Sequence, residues 1–209
     1  MEDIELYCIG YSGRDKEKTW EHIEELKKIG VPEPKTIPEL YHLKNNLLTN
    51  EKAIQVIGDQ TSGEVEIVLI SESDGSLYVT VGSDHTDRGL ETVSIHKSKQ
   101  ICDKPIASDK WRMDDVEKEW DELELYAEVQ KDGEWIKYQE GKVSSIIPLR
   151  EIKHFLSENN AELNRAVVFC GTVPLLNGFI YGDAYRCGIR NNKMNSSIEL
   201  EYEIKKLKE

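Results

Sequence analysis

The chain has 209 residues, 27 of them basic and 40 acidic, with a formal net charge of −13. Hydrophobic residues make up 38%, enough for one globular core, while the apolar runs are too short to cross a bilayer. The acidic balance repels nucleic-acid phosphates and anionic lipid, so neither is an expected partner, and a small anionic substrate needs local positive charge from a metal ion or a lysine.

The start, Met1-Glu2-Asp3-Ile4-Glu5, has no basic segment followed by an apolar run, which predicts a cytoplasmic protein without a leader. Trp20, Ile23, Leu26 and Ile29 recur at helical spacing between a capping Asp15 and the breakers Gly30 and Pro32, predicting an amphipathic helix over 15–29. Residues 31–52 carry three prolines and predict a connection with short helical turns around Leu40 to Leu48. Short strands are predicted at 55–57, 64–70, 77–81, 123–130, 134–138, 166–170 and 198–204, with turns at Asp74-Gly75, Asp132-Gly133 and Asn177-Gly178. Helices are expected at 115–120 and 149–157. The pattern is a single α+β, mainly β domain over 1–209, built as a roll or barrel without the βαβ rhythm of a nucleotide-binding sheet. Cys8, Cys102, Cys170 and Cys187 have no C-x-x-C spacing and read as reduced thiols.

The chemistry concentrates in one strand and the loop after the next. In Glu64-Val65-Glu66-Ile67-Val68-Leu69-Ile70 the two-residue period points Glu64 and Glu66 to one face and Val65, Ile67 and Leu69 to the other. Two adjacent carboxylates repel, and a partly buried pair needs a cation or raised pKa values. If residues 64–70 and 77–81 form a hairpin, Asp84 at the strand end joins them, and three oxygen ligands suit Mg²⁺ or Mn²⁺. His85 has no second histidine or cysteine at ligand spacing and does not make a zinc site.

Gly63-Glu64-Val65-Glu66-Ile67-Val68 and Asp84-His85-Thr86-Asp87-Arg88 resemble the metal-binding segments of the fumarylacetoacetate hydrolase superfamily. Lys97-Ser98 ahead of Pro105, Gln139-Glu140-Gly141 with Ser144-Ser145-Ile146-Ile147, Gly171-Thr172-Val173-Pro174 and Gly182-Asp183 follow in the same order. Gly13-Arg14-Asp15 and His22-Ile23-Glu24-Glu25-Leu26 resemble the superfamily's lid segment. Ser98-Lys99-Gln100-Ile101-Cys102 and Trp111 are similar to a bacterial branch known only as a domain of unknown function. One departure stands out: a glutamine found near Leu90 in several members is Glu91 here.

The resemblance implies a β-roll core over 53–209, a lid and connection over 1–52, and a homodimer. It implies one Mg²⁺ or Mn²⁺ on Glu64, Glu66 and Asp84, with Lys99 or Lys97 adding charge stabilisation; Lys99 is preferred. His22 and Glu25, three apart on one helix face, are the expected water-activating pair. Arg14, Arg88 and Thr172 are the expected binders of substrate carboxylate, although Arg88 can equally pair with Asp87 or Glu91. The expected activity is hydrolysis of a C–C bond in an acylpyruvate-like or other β-dicarbonyl 2-oxo acid. Decarboxylation or oxo–enol isomerisation of a short 2-oxo dicarboxylic acid is the enzymatic alternative, and a noncatalytic β-rich binding module the third.

Overall fold

Residues 4–208 are described by a computed structural model. The first half of the chain gives β1 (Glu5–Gly10), α1 (Lys16–Lys28), β2 (Glu39–Leu43), β3 (Ala53–Val56), β4 (Val65–Ser71), β5 (Leu77–Ser83), α2 (Arg88–Glu91) and α3 (Ile95–Gln100). The second half gives β6 (Glu124–Lys131), β7 (Glu134–Lys142), α4 (Leu149–Glu158), β8 (Ala166–Thr172), β9 (Ala184–Asn191) and β10 (Ser196–Lys206). The architecture is mainly β with peripheral helices, as the sequence predicts.

One sheet has the order Trp111–Arg112, β5, β4, β8, β1, β2, and the other β7, β6, β9, β10, β3. They share a core: Val65, Ile67 and Leu69 of β4 and Val79 and Val81 of β5 are buried with Leu125, Ala127 and Val129 of β6 and Tyr185, Cys187 and Ile189 of β9. The opposite face of the first sheet is also covered. Leu6 and Cys8 of β1, Val68 of β4 and Phe169 of β8 pack with Tyr41, Leu43 and Ile95 in a second cluster. β4 is therefore apolar on both faces except at Glu66 and the terminal Ser71, which makes that carboxylate conspicuous.

Local chemistry explains the connections. Asp132 and Gly133, at φ of 54° and 85°, form the two-residue turn between Lys131 and Glu134, a geometry that wants positive φ at both positions. Asp15 caps α1 by accepting from the backbone N–H groups of Glu17 and Lys18.

Three expectations change. Leu40 to Leu48, read as short helical turns, give strand β2 as far as Leu43 and a 3₁₀ turn only at Asn45–Leu47; the apolar spacing of Leu40, Tyr41 and Leu43 fits either period, and pairing with β1 decides it. The helix predicted at 115–120 divides into an α-turn at Met113–Val116 and a 3₁₀ turn at Glu117–Glu122. Within residues 4–52, expected as lid and connection, β1 lies between β8 and β2 in the first sheet, so this stretch also contributes strands to the core.

Candidate metal centre

Glu66 is the second residue of β4, Glu64 sits just before the strand, and Asp84 follows β5 directly. The hairpin register places Glu66 opposite Gly82, while the Asp84 N–H donates to the Glu64 carbonyl at 2.9 Å. The three side chains thereby converge, each offering a carboxylate oxygen within 4.8 Å of the others. A small inward adjustment of these three oxygens would let them hold one Mg²⁺ or Mn²⁺, which would take its remaining ligands from water or substrate. The all-oxygen donor set fits a hard divalent cation.

Burial gives the cluster its energetic character. Glu66 is 3% exposed and Asp84 is inaccessible. Burial, and next the Asp84 charge, push the Glu66 carboxyl well above the ordinary range, against the opposing pull of Lys99. Asp84 goes the other way. Burial raises it, but Lys99 and Lys104 outweigh that and hold it at about 2. The Lys99 ammonium contacts Asp84 Oδ2, and Lys104 Nζ lies 3.2 Å from Oδ1. Burial lowers the Lys99 pKa, yet Asp84 and Glu64 raise it well above the usual lysine value, keeping it cationic.

Backbone geometry fixes the carboxylates in turn. At the end of β8 the ladder is interrupted, Gly171 adopts φ 130°, and its N–H turns to donate to Glu66 Oε2 at 2.8 Å. A β-carbon there would stand 1.9 Å from Ser12 Oγ, so the position admits only glycine without rearrangement. Gln139 anchors the neighbouring strand ends, accepting from the Val65 N–H at 2.9 Å and donating to Thr172 Oγ1 at 2.7 Å.

Of the two candidate lysines, Lys99 faces the carboxylates and Lys97 is exposed, because α3 turns consecutive odd positions to different sides. Arg88 is buried beside Glu64, Nη2 to Oε1 3.5 Å, and its Nη1 pairs with Glu91 at 3.1 Å. Thr172 lies opposite Glu66, but its hydroxyl proton is given to the Val65 carbonyl at 2.7 Å. Arg14 is engaged away from the cluster, with Asp121 at 2.6 Å and the Ile146 carbonyl at 3.0 Å. His22 and Glu25 approach each other to 4.0 Å on the solvent face of α1, while Ile23 and Thr19 fill the inner face. Among the described residues, no hydrogen bond or ion pair links them to the carboxylates. His85 is buried, accepts or donates between Tyr202 OH at 3.0 Å and Thr61 Oγ1 at 2.9 Å, and is held neutral by burial.

Lys104 escapes sequence reasoning altogether, since a lysine before proline in a polar loop reads as solvated. It is fully buried and donates to the carbonyls of His85 at 2.6 Å and Cys102 at 3.1 Å. Lys104→Met is expected to cost about 3 kcal/mol of folding stability, because two carbonyls and half of Asp84 lose their partner. Lys97→Met should fall within about 0.5 kcal/mol of the parent. Urea unfolding of both variants checks the pair, and equal midpoints would contradict the buried bridge.

With the geometry established, similarity places the chain among known proteins. The family described as "Protein of unknown function (DUF2848)" matches residues 9–202.

The chain belongs to this family.

Comparison with curated proteins finds no match. Solved structures share the fold. One is 2-keto-3-deoxy-D-arabinonate dehydratase complexed with magnesium and 2,5-dioxopentanoate, 16% identical, covering 100% of this chain and 75% of that one at a TM-score of 0.70. Another is Cg1458 with inhibitor, 18% identical over 99% and 78% of the two chains, TM-score 0.71. A third is 4-oxalocrotonate decarboxylase from Pseudomonas putida G7 complexed with calcium and acetate, 12% identical over 97% and 78%, TM-score 0.57. The chain therefore has a fumarylacetoacetate hydrolase-like fold. No helix among the described residues is long and apolar enough to cross a membrane.

Proposed function

We propose that this chain is a divalent-metal-dependent enzyme that breaks a C–C bond in a β-dicarbonyl 2-oxo acid by way of an enolate. The observation that carries the reading is the convergence of Glu64, Glu66 and Asp84, two of them buried, with the Lys99 ammonium among them. Solved structures with the same fold hold magnesium with 2,5-dioxopentanoate, or calcium with acetate, which is consistent with oxygen ligands at this position.

A Mg²⁺ or Mn²⁺ held by Glu64, Glu66 and Asp84 would supply polarisation of the 2-oxo carbonyl and stabilisation of the negative charge that develops there. The chain's own residues set up the rest. Lys99, kept cationic by Asp84 and Glu64, adds a second positive charge beside the same oxygens. Gly171 orients Glu66, and Lys104 with Lys99 orients Asp84, so the acidic side chains are aligned before a ligand arrives.

In the hydrolytic form of the reaction, His22 takes a proton from water, the water oxygen attacks the acyl carbonyl, and the C–C electron pair passes to the enolate. The imidazolium then returns the proton to carbon, yielding a carboxylic acid and a shorter 2-oxo acid. Because His22 lies on the solvent face of α1, this route entails α1 closing over the carboxylates. The lack of contact between His22 and the cluster favours a second reading, decarboxylation or oxo–enol isomerisation, which needs no activated water.

His22→Ala separates the two. With Mn²⁺ and 2,4-dioxopentanoate, hydrolysis is expected to fall by roughly 10²- to 10⁴-fold while calorimetric Mn²⁺ affinity stays constant. Undiminished release of acetate and pyruvate by the variant would rule out His22 as the base.

A further inference from the structure

The buried Arg88 has three different fates for its guanidinium. Nε donates to Ser62 Oγ at 2.7 Å, and Nη1 faces both oxygens of Glu91 at 3.1 and 3.2 Å. Nη2 makes no hydrogen bond although it is fully enclosed, and it lies 3.5 Å from Glu64, the most exposed of the three carboxylates. The Phe179 ring covers the group from 4.4 Å. A buried donor without an acceptor is costly, and one placed beside a ligand site is suited to a ligand oxygen.

The charge of that donor is already balanced. Glu91 is itself buried, so its pairing with Arg88 is only weakly screened. Lys99 and Lys104 are likewise committed to Asp84. Among the described residues around the carboxylates, each of these cations thus faces a carboxylate, Lys99 and Lys104 sharing Asp84 and Arg88 facing Glu91, and none is left unpaired to accompany a second substrate carboxylate.

We propose that Glu91 is a specificity-determining residue: by neutralising Arg88 it turns Nη2 into a donor for an uncharged substrate oxygen, a carbonyl or hydroxyl, and selects 2-oxo acids with one carboxylate over dicarboxylic ones. The inference rests on the proposed metal-dependent reading and sharpens it, since it favours acylpyruvate-like substrates over the dicarboxylic acids of the decarboxylase alternative.

The test is calorimetry on the full chain loaded with Mn²⁺, for the parent and Glu91→Gln. The probes are oxalate, which engages the metal alone, and oxaloacetate and 2-oxoglutarate, each against its monoester at the distal carboxylate. The parent is expected to bind the esters about tenfold more tightly than the dianions, and Glu91→Gln to shift that ratio at least about tenfold toward the dianions. A purely structural Glu91 would weaken all probes together and leave the ratio untouched, which overturns the proposal. Parent protein that binds dianions as tightly as esters also overturns it, whether or not the variant folds. Failure of the parent to bind oxalate would instead remove the metal-dependent reading, and this inference with it.

Discussion

Asp84→Asn is expected to abolish Mn²⁺ binding and to lower folding stability by about 3–5 kcal/mol, the cost of leaving buried charges without their counter-ion. Asp84 is inaccessible and stands between the Lys99 and Lys104 ammonium groups, both buried. An asparagine of the same shape removes the only charge that both lysines share and turns an N–H donor toward one of them. Against a total stability of about 5–15 kcal/mol this is a severe loss. The pH dependence has a definite sign. Because Asp84 is held at about 2, its stabilising contribution is present above the ordinary aspartate value of 3.8 and disappears as pH falls through about 2. Adding Lys104→Met to Asp84→Asn should recover part of the lost stability, since the second change removes one of the stranded charges. Chemical unfolding of the single and double variants measures this, and strictly additive destabilisation would contradict the bridged arrangement.

Glu66→Gln is expected to act in the opposite direction on the metal-free protein while weakening Mn²⁺ binding by at least about 100-fold. The glutamine keeps an oxygen for the Gly171 N–H but removes a charge opposed by burial, Asp84 and Glu64. A carboxyl whose folded pKa lies above its unfolded value stabilises the protein fully below the unfolded value, and that contribution is lost as pH rises through the folded one. The metal-free parent should therefore lose thermal stability more steeply than Glu66→Gln as pH rises above the ordinary carboxylate range. Loading with Mn²⁺ displaces the proton, so its binding enthalpy should depend on the ionisation enthalpy of the buffer for the parent but not for the variant. Buffer-independent enthalpies in both proteins would show that Glu66 is already ionised.

The two predictions also indicate what could be read from the sequence. Alternation along β4 and a short hairpin were enough to bring Glu64, Glu66 and Asp84 together, because strand period and turn chemistry are local properties. Lys99, by contrast, was implied only by the family resemblance, which left Lys97 as the alternative. What stayed hidden depends on distant partners. β1 contains Leu6, Tyr7, Cys8 and Ile9, a run too short to distinguish strand from loop until β8 and β2 flank it. β9 mixes Tyr185 and Ile189 with Arg186, Gly188 and Arg190, so its alternation is blurred, although β6 and β10 pair along its whole length. Lys104 is invisible for the same reason: its acceptors are two loop carbonyls and a carboxylate positioned by β5. Arg14, expected to hold substrate, is instead a surface tie between the start of α1 and Asp121, a residue 107 positions away.

The parallel pairing of β1 with β8 has a consequence for how the protein is made. The Tyr7–Val168 and Cys8–Phe169 neighbours are joined only after some 160 intervening residues have been synthesised, and Gly171, which orients Glu66, emerges at the same late moment. A nascent chain halted before β8 would carry all three carboxylates yet lack the Gly171 N–H that orients Glu66. The frame that holds the three carboxylates is thus completed late, and a topology so rich in distant pairings favours slow, cooperative folding over piecewise assembly.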